Sequence, residues 1–268
     1  MSLLTAKSDS QRRESLSYLT TFMASRPVDS PLPQPLSTWL PKLYPLILDG
    51  SSSVRAQLLK LFRSLPPGEI EDHVAHILPY VRAGMTHLAA DIRLSAVDVL
   101  CWLLEDSSSE VVSCAGGWYK TLNCFLTILG WSTQDALKWS SNRASFGKSG
   151  SEGRPMARIL QALAEFVHAG IGQQPADAVK TGDATLHSNF PMWYSGQHQV
   201  PQKSNAFGYL NLFGMPKDDE TEMLEDCEDR RRVFDKTFKA SVEMGLEAAR
   251  REGGDVGRAA AALTKALS

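Results

Sequence analysis

Apolar residues recur at helical spacing throughout the first half of the chain. The first periodic segment runs from about Asp9 to Ala24 and ends at the proline-rich stretch 26–35. A second spans Ser37 to Leu48, and a third carries apolar residues from Val54 to Leu65 before Pro66-Pro67-Gly68 stops it. Alternating strand patterns are almost absent, so the spacing predicts an all-α protein.

Two of these segments belong to a repeat of 38 residues. Leu40-Pro41 and Val54-Arg55 return as Leu78-Pro79 and Ile92-Arg93, and a weaker copy begins at Gln11-Arg12. Paired helices with a period near 40 residues are typical of HEAT and armadillo arrays, whose pairs stack because one pair cannot bury its apolar face alone. The pattern predicts an armadillo/HEAT-like α-solenoid of stacked helix pairs, with an ordinary helical domain as the alternative.

The sequence predicts that the chain has three parts. Further helices over Trp118–Leu129 and Met156–Ala169, with a polar loop Ser132–Arg154 between them, complete a solenoid over residues 1–171. Residues 172–219 show no sustained period yet hold six of the 22 aromatic residues. They are predicted to be a long loop that drapes over the solenoid or docks on a partner.

Residues 220–268 are predicted to form an extended C-terminal arm and helix. A charged helix runs from Glu220 to Arg251, and a short Ala-rich helix follows Gly253-Gly254. The apolar positions of the charged helix are nearly in heptad phase: Leu224, Cys227, Phe234, Phe238 and Val242.

Composition and charge narrow the function classes. With 268 residues, 43% of them hydrophobic, the chain is long enough for a buried core. Its net charge is −2, split as +1 over residues 1–170 and −3 over residues 171–268, which disfavours a globally basic nucleic-acid binder. We expect an intracellular protein without membrane contact, because there is no apolar run of spanning length and no signal-peptide pattern.

Motifs that would carry catalysis or bind a cofactor are weak. Gly147-Lys148-Ser149 resembles the end of a phosphate-binding loop, but the required first glycine would fall at Asn142. His73 and His76 lack a second ligand helix, and the four cysteines show no metal-type spacing. The sequence therefore predicts a non-catalytic protein with no cofactor and no metal.

Arginines at equivalent repeat positions have two possible roles. Arg55 and Arg93 are predicted to bond carboxylates or carbonyls of the neighbouring repeat, with Asp49 and Asp91 as candidate partners. The alternative is an arginine ladder that reads phosphate. The candidate RNA contacts are then Arg55, Arg63, Arg82 and Arg93.

The start of the helix near residue 118 has an unusual sequence. Gly116 and Gly117 allow another backbone segment to approach closely. The adjacent Trp118 and Tyr119 resemble an anchor at a protein interface. An equally open interpretation is a tight turn in which Trp118 faces the core. For the heptad-like helix, packing on the solenoid and docking into a partner groove are also both open. The candidate partner-binding residues are Trp118, Tyr119, Lys120, Trp193, Phe213, Phe234 and Phe238.

Four segments together resemble a known family: residues 45–50, 53–60, 83–94 and 114–118. They are similar to the fungal pre-ribosomal-RNA-processing family of Ipi-one (Ipi1), whose animal counterpart is the testis-expressed protein Tex-ten. The resemblance implies a non-catalytic scaffold subunit of the Rix complex, together with a larger helical-repeat Rix subunit and a WD-repeat propeller subunit. It also implies a nuclear protein on the maturing large ribosomal subunit, beside the AAA ATPase midasin, that is needed to process the second internal transcribed spacer.

Family members commonly begin with a lysine-rich extension, whereas this sequence starts almost at the first helix. We therefore expect no nuclear import or RNA contact through such an arm. With a near-neutral charge, the chain is expected to reach pre-ribosomal RNA mainly through other proteins, and the alternative is a direct RNA-binding repeat protein.

Overall fold

The computed structural model describes residues 6–25, 36–66, 68–131, 153–172, 220 and 222–267, and no strand occurs among them. The helices are α1 (Asp9–Ala24), α2 (Leu36–Leu43), α3 (Ser52–Arg63), α4 (Val74–Met85), α5 (Ala90–Ser113), α6 (Gly117–Leu129), α7 (Gly153–Ile171), α8 (Cys227–Val233), α9 (Lys239–Glu252) and α10 (Gly254–Leu267). Short 3-10 helices cover Tyr44–Leu48 and Glu71–His73, and a π-helical turn covers Phe234–Phe238. The predicted all-α class is confirmed.

The helices pack in two rows. One row holds α1, α3, α5, α7 and α10, each beside the next. Helix α3 runs in the same direction as α1 and α5, because its contacts with each of them follow in the same order along both helices. Side-chain pairs at matching heights align them: Gln57 donates to Thr20 Oγ1 at 3.0 Å, and Arg158 lies 2.6 Å from Asp98. The second row holds α2, α4 and α6, followed by α8 and α9. This arrangement confirms the predicted solenoid of stacked helix pairs.

The C-terminal helices belong to the same compact unit as the first 172 residues. Helix α10 packs along α7 and against α9, so this pair continues both rows. The sequence predicted a boundary after residue 171 and left open whether the charged C-terminal helix packs on the solenoid or docks into a partner groove; in the structure the apolar row of this segment is buried against the solenoid. That row is Phe234, Phe238, Val242, Leu246 and Ala249. The predicted loop 172–219, apart from Gly172, lies outside the described residues.

Two helices differ locally from the prediction, for reasons of backbone hydrogen bonding. The segment predicted as one helix over 37–48 changes from α to 3-10 geometry at Tyr44, where Pro45 lacks the amide hydrogen that an α-helix needs. The charged helix begins at Cys227 rather than Glu220. Residues 222–225 are non-helical because their carbonyl groups accept hydrogen bonds from Gly116 and Arg230 instead.

A kink in α5 places the turn that leads into α6. Ser107 has φ −140° and ψ 49°, and its buried hydroxyl donates to Asp106 Oδ2 at 2.8 Å. Beyond the kink, Val111 and Val112 return to the core before the helix ends at Ser113. Among the described helices, none is long and apolar enough to cross a bilayer.

Candidate interaction site around Trp118

The turn before α6 depends on two glycines. Gly116 adopts a left-handed conformation at φ +65°, and a Cβ there would come within 3.0 Å of the Glu220 carbonyl oxygen. Its amide donates to the Glu222 carbonyl at 3.3 Å. A Cβ on Gly117 would overlap the Val111 carbonyl. The close backbone approach expected from this glycine pair is present, and what approaches is the C-terminal arm, defined here as residues 222–238.

Trp118 joins the arm to α7. It is 1% exposed, and its ring stacks on Phe166 with centroids 5.1 Å apart and tilts against Phe234 at 6.4 Å. Its indole Nε1 donates to the Arg230 carbonyl oxygen at 3.0 Å. A Cβ on Gly170 would overlap the six-membered ring, so a glycine in α7 makes room for the indole. Trp118 is therefore a buried joint between α6, α7 and the arm.

Arg230 fastens the arm through backbone carbonyls. Its Nε donates to Gly170 at 2.7 Å, and its Nη1 donates to Leu224 at 2.6 Å and Glu225 at 2.7 Å. The side chain is buried, and this burial lowers the pKa of Arg230 while the nearby acidic groups oppose the change. Three charge-assisted hydrogen bonds to carbonyl groups hold the cation in a site that water barely reaches.

The edge of the site is more accessible than its centre. Tyr119 is partly buried and meets Phe238 edge to face, with ring centroids 5.0 Å apart. The Lys120 methylenes lie beside Gly116, within 3.1 Å of where its Cβ would be. Arg82 of α4 donates to the Gly116 carbonyl at 2.8 Å, and burial lowers the pKa of Arg82. The contacts of this edge therefore hold the turn before α6 and the arm together.

The structure places the predicted partner-binding residues in three kinds of environment. Trp118, Phe234 and Phe238 are buried against the chain's own helices. Tyr119 and Lys120 lie partly exposed at the edge. Trp193 and Phe213 lie outside the described residues. Partner binding by these seven residues stays a prediction, and the first three would contact a partner only if the arm left its site.

The four candidate RNA arginines also differ in what surrounds them. Arg55 is buried, with Nη2 2.5 Å from Asp91 Oδ2 and Nη1 2.5 Å from the Asp49 carbonyl oxygen, which confirms its predicted structural contact with the neighbouring repeat. Arg82 holds the turn before α6. Arg93 donates to the carbonyls just before its own helix. Arg63 is exposed at the end of α3.

Sequence reasoning missed a recurring arginine contact. Arg12, Arg55, Arg93 and Arg230 are each the fourth residue of a helix, and each donates to the carbonyl six residues earlier. Arg12 adds an ion pair to Asp49 of the next repeat, with Nε 2.8 Å from Oδ2. The weaker copy at Gln11-Arg12 contained this signal for Arg12, although Arg12 precedes Arg55 by 43 residues and not by 38. No matching spacing pointed to Arg230.

Thiols and metal ligands supply no further site among the described residues. Burial raises the pKa of Cys101 to about 12 and those of Cys114 and Cys124 to about 11, so these thiols stay protonated near neutral pH. Within the described ranges, no group of three His, Cys, Asp or Glu side chains is arranged to hold a metal ion.

Known proteins align with the whole length of this chain. A family model described as a Rix1 complex component involved in 60S ribosome maturation, Ipi1_N, matches residues 68–167. The pre-rRNA-processing protein ipi1 of Aspergillus fumigatus is 59% identical over 272 residues, which cover 100% of this chain and 79% of that protein. The Neosartorya fischeri protein of the same name is also 59% identical, with the same coverage. IPI1 of Chaetomium thermophilum is 45% identical, covering 98% and 76%.

A solved structure also matches. A chain of a Rix1–Rea1 pre-60S particle superimposes with a TM-score of 0.49 at 23% identity, covering 79% of this chain and 77% of that one.

Proposed function

Because this chain belongs to the Ipi1 family of pre-rRNA-processing proteins, we propose that it is a non-catalytic scaffold subunit of the Rix1 complex. As a member of this family it takes part in 60S ribosome biogenesis and pre-rRNA processing. The observation that carries the proposal is the 59% identity over the full chain to the Aspergillus fumigatus protein. Its site of action is the nucleus, where it contributes to processing of the second internal transcribed spacer.

The way the fold uses its polar groups supports a scaffold role. The buried arginines Arg55 and Arg230 bond backbone carbonyls and a neighbouring carboxylate, so each serves the stacking of helices. The pKa values of the buried thiols are raised, which is the opposite of what a cysteine nucleophile needs. These groups build a rigid stack of helix pairs, and such a stack offers an extended surface for binding other proteins.

Exposed apolar side chains supply candidate contacts for partners. Four large ones face solvent among the described residues: Tyr18, Phe22, Leu88 and Met244. Leu88 is 84% exposed in an ordered loop, because Arg93 bonds its carbonyl and that of His87, and the His87 ring accepts the Ala89 amide. An apolar side chain held out by a fixed loop loses little conformational entropy on binding.

The partners proposed are the helical-repeat Rix subunit and the WD-repeat propeller subunit, with midasin and the pre-60S particle reached through the complex. Trp193 and Phe213 are the aromatic residues proposed to anchor the chain to the Rix subunit. In a co-purification with that subunit, Trp193→Ala/Phe213→Ala should lower recovery at least about tenfold, as removal of interface hot spots does. Unchanged recovery by the double variant would contradict the anchoring role.

A matched variant separates anchoring from folding. Tyr18→Ala/Phe22→Ala removes two exposed aromatics from α1 and serves as the comparison, with the unfolding midpoint of every variant measured in parallel. Anchoring by residues 193 and 213 predicts lost recovery with an unchanged midpoint for the first double variant alone. Loss of recovery in the α1 variant alone would place the contact on α1 instead, and equal losses in both double variants would contradict anchoring by residues 193 and 213 alone.

Complementation tests the cellular function. In Aspergillus fumigatus cells depleted of their own ipi1, this chain should restore processing of the second internal transcribed spacer, measured as loss of the spacer-containing precursor on a northern blot. The Leu263→Asp variant, which places a charge at a fully buried position of α10, serves as the control with a damaged C-terminal end of the stack. Accumulation of precursor despite normal levels of the intact chain would contradict the proposal.

A further inference from the structure

A cleft of about 450 Å³ lies between α7 and α10, far from the Trp118 site. The first turns of the two helices lie side by side, since a Cβ on Gly153 would be 3.8 Å from Val256 Cγ2, and each helix lines one wall of the cleft. The lining residues are Arg154, Ala157, Arg158, Gln161, Asp255, Arg258, Ala259 and Ala262. The lining thus carries three arginines and one aspartate, and its apolar residues are three alanines.

The arginines of the cleft bond fewer described groups than the arginines of earlier helices in the same row. The guanidinium groups of Arg12 and Arg55 bond carbonyl and carboxylate groups within the stack. Arg154 is exposed and makes no ion pair with any described residue. Within the described part of the chain, the ion pair of Arg258 is with Asp255 on its own helix, and both side chains are exposed, so solvent screens the pair. Arg158 forms an ion pair with Asp98 of α5, and 48% of its side chain stays exposed.

Arginine guanidinium groups fit phosphate oxygens in a planar, two-pronged geometry. Arg154 and Arg158 are four residues apart on one helix face, so they lie on one wall, with Arg258 across from them. Guanidinium groups on both walls can each contact a phosphate group of one strand that lies in the cleft. We infer that this cleft binds the phosphate backbone of a single-stranded RNA segment, an inference that rests on the proposed function in pre-rRNA processing.

The small apolar residues that line the cleft favour RNA over an acidic protein segment as its ligand. Protein interfaces gain most of their affinity from large apolar or aromatic anchors seated in pockets, and the lining here offers only Ala157, Ala259 and Ala262 as apolar residues. Backbone recognition of RNA needs cations and room, both of which are present. No aromatic ring lines the cleft for base stacking, so the contact has no sequence preference.

The test uses the full chain and a labelled oligouridylate of about 12 nucleotides, followed by fluorescence anisotropy over a range of salt concentrations. Three phosphate contacts predict a slope of about −2 for log K against log salt, or roughly a 20-fold loss between about 50 and 200 mM salt. Arg154→Gln/Arg258→Gln should weaken binding at least about tenfold at the lower salt and flatten the slope to about −0.7.

A matched control removes the same charge elsewhere. Lys236→Gln/Arg251→Gln changes two exposed cations outside the cleft and should leave both affinity and slope close to those of the unmodified chain. Arg63→Gln tests the exposed arginine at the end of α3 in the same way. Equal losses in the cleft variant and in these controls would overturn the assignment, as would the absence of measurable binding by the unmodified chain at about 50 mM salt.

Further measurements decide whether the ligand of the cleft is RNA or protein. They also test this inference separately from the proposed function. A labelled polyglutamate peptide that binds more tightly than the RNA would reassign the cleft to an acidic protein segment. Co-purification with the Rix subunit should be unchanged in the cleft variant, and its loss would likewise make the cleft a protein interface. Failed complementation by the unmodified chain tests the proposed function alone, because RNA affinity in vitro does not depend on it.

Discussion

Asp91 illustrates how the repeat contacts respond to pH at the scale of one residue. The hydrogen bond from Arg55 lowers the pKa of Asp91, opposed by partial burial. A carboxyl group with a lowered folded-state pKa contributes stability above its unfolded pKa, near 4, and loses it as pH falls through the folded value. The stack of α3 on α5 therefore weakens in acid.

Replacing Asp91 by Asn should remove this pH dependence. Because the Asp91 side chain is 60% exposed, we expect the variant to lose no more than about 1 kcal/mol of unfolding free energy near neutral pH. The difference from the unmodified chain should shrink as the pH falls below about 4 and through the lowered pKa of Asp91, as urea unfolding at several pH values would measure. Asp235→Asn, at an exposed pair within one helix, is the control. A difference that stays constant with pH would contradict the expectation.

Gly170 offers a second residue-scale prediction. In Gly170→Ala the new methyl group would overlap the Trp118 ring, so we expect a loss of about 2 kcal/mol despite the better helix propensity of alanine. Gly257 in α10 is the matched control, since the nearest atom to its added Cβ is 3.9 Å away. Gly257→Ala should stabilise the protein by about 0.5–1 kcal/mol. Thermal or urea unfolding of the two variants measures the contrast, and a destabilisation of equal size would refute it.

At the scale of elements, the arm depends on one buried arginine. Arg230→Met keeps an extended apolar stem but removes the donors to Gly170, Leu224 and Glu225, so we expect a loss of about 3 kcal/mol. Amide exchange of residues 222–226 should accelerate together with that of the C-terminal turn of α7. Arg232→Met, two residues away and exposed, should stay within about 0.5 kcal/mol of the unmodified chain. Unchanged exchange in the first variant would show that the arm docks without this cation.

Sequence periodicity predicted most elements and missed the contacts between distant ones. The bounds of α1 follow directly from apolar spacing, and the repeat of Val54-Arg55 at Ile92-Arg93 exposed the parallel stacking of α3 and α5. Packing of the C-terminal helix on the solenoid was one of two interpretations left open by the sequence, because the docking site combines Gly116, Trp118 and Gly170 from separate helices. Residues that far apart leave no local period, although the Gly116-Gly117 pair did indicate a close backbone approach.

At the scale of the whole molecule, the arm and α10 extend the row of helix pairs instead of leaving it. In stacked repeats each pair is stabilised mainly by its neighbours, so a defect at one end weakens adjacent pairs most. Helix α10 covers the apolar face of α7, whose residues Leu160, Leu163 and Val167 are fully buried. The charged C-terminal sequence is therefore part of the folding unit, although its composition resembles a separate amphipathic arm.

Leu263→Asp distinguishes a terminal repeat from an independent arm. Leu263 is fully buried in α10, so a carboxylate there should detach the helix and cost several kcal/mol, while Ala261→Asp on the exposed face should be nearly neutral. If α10 completes the stack, amide protection should fall most in α7, less in α5, and least in α1, because coupling passes from neighbour to neighbour. An independent arm would instead lose its own protection and leave α7 as stable as before, a result that hydrogen exchange read by mass spectrometry would reveal directly.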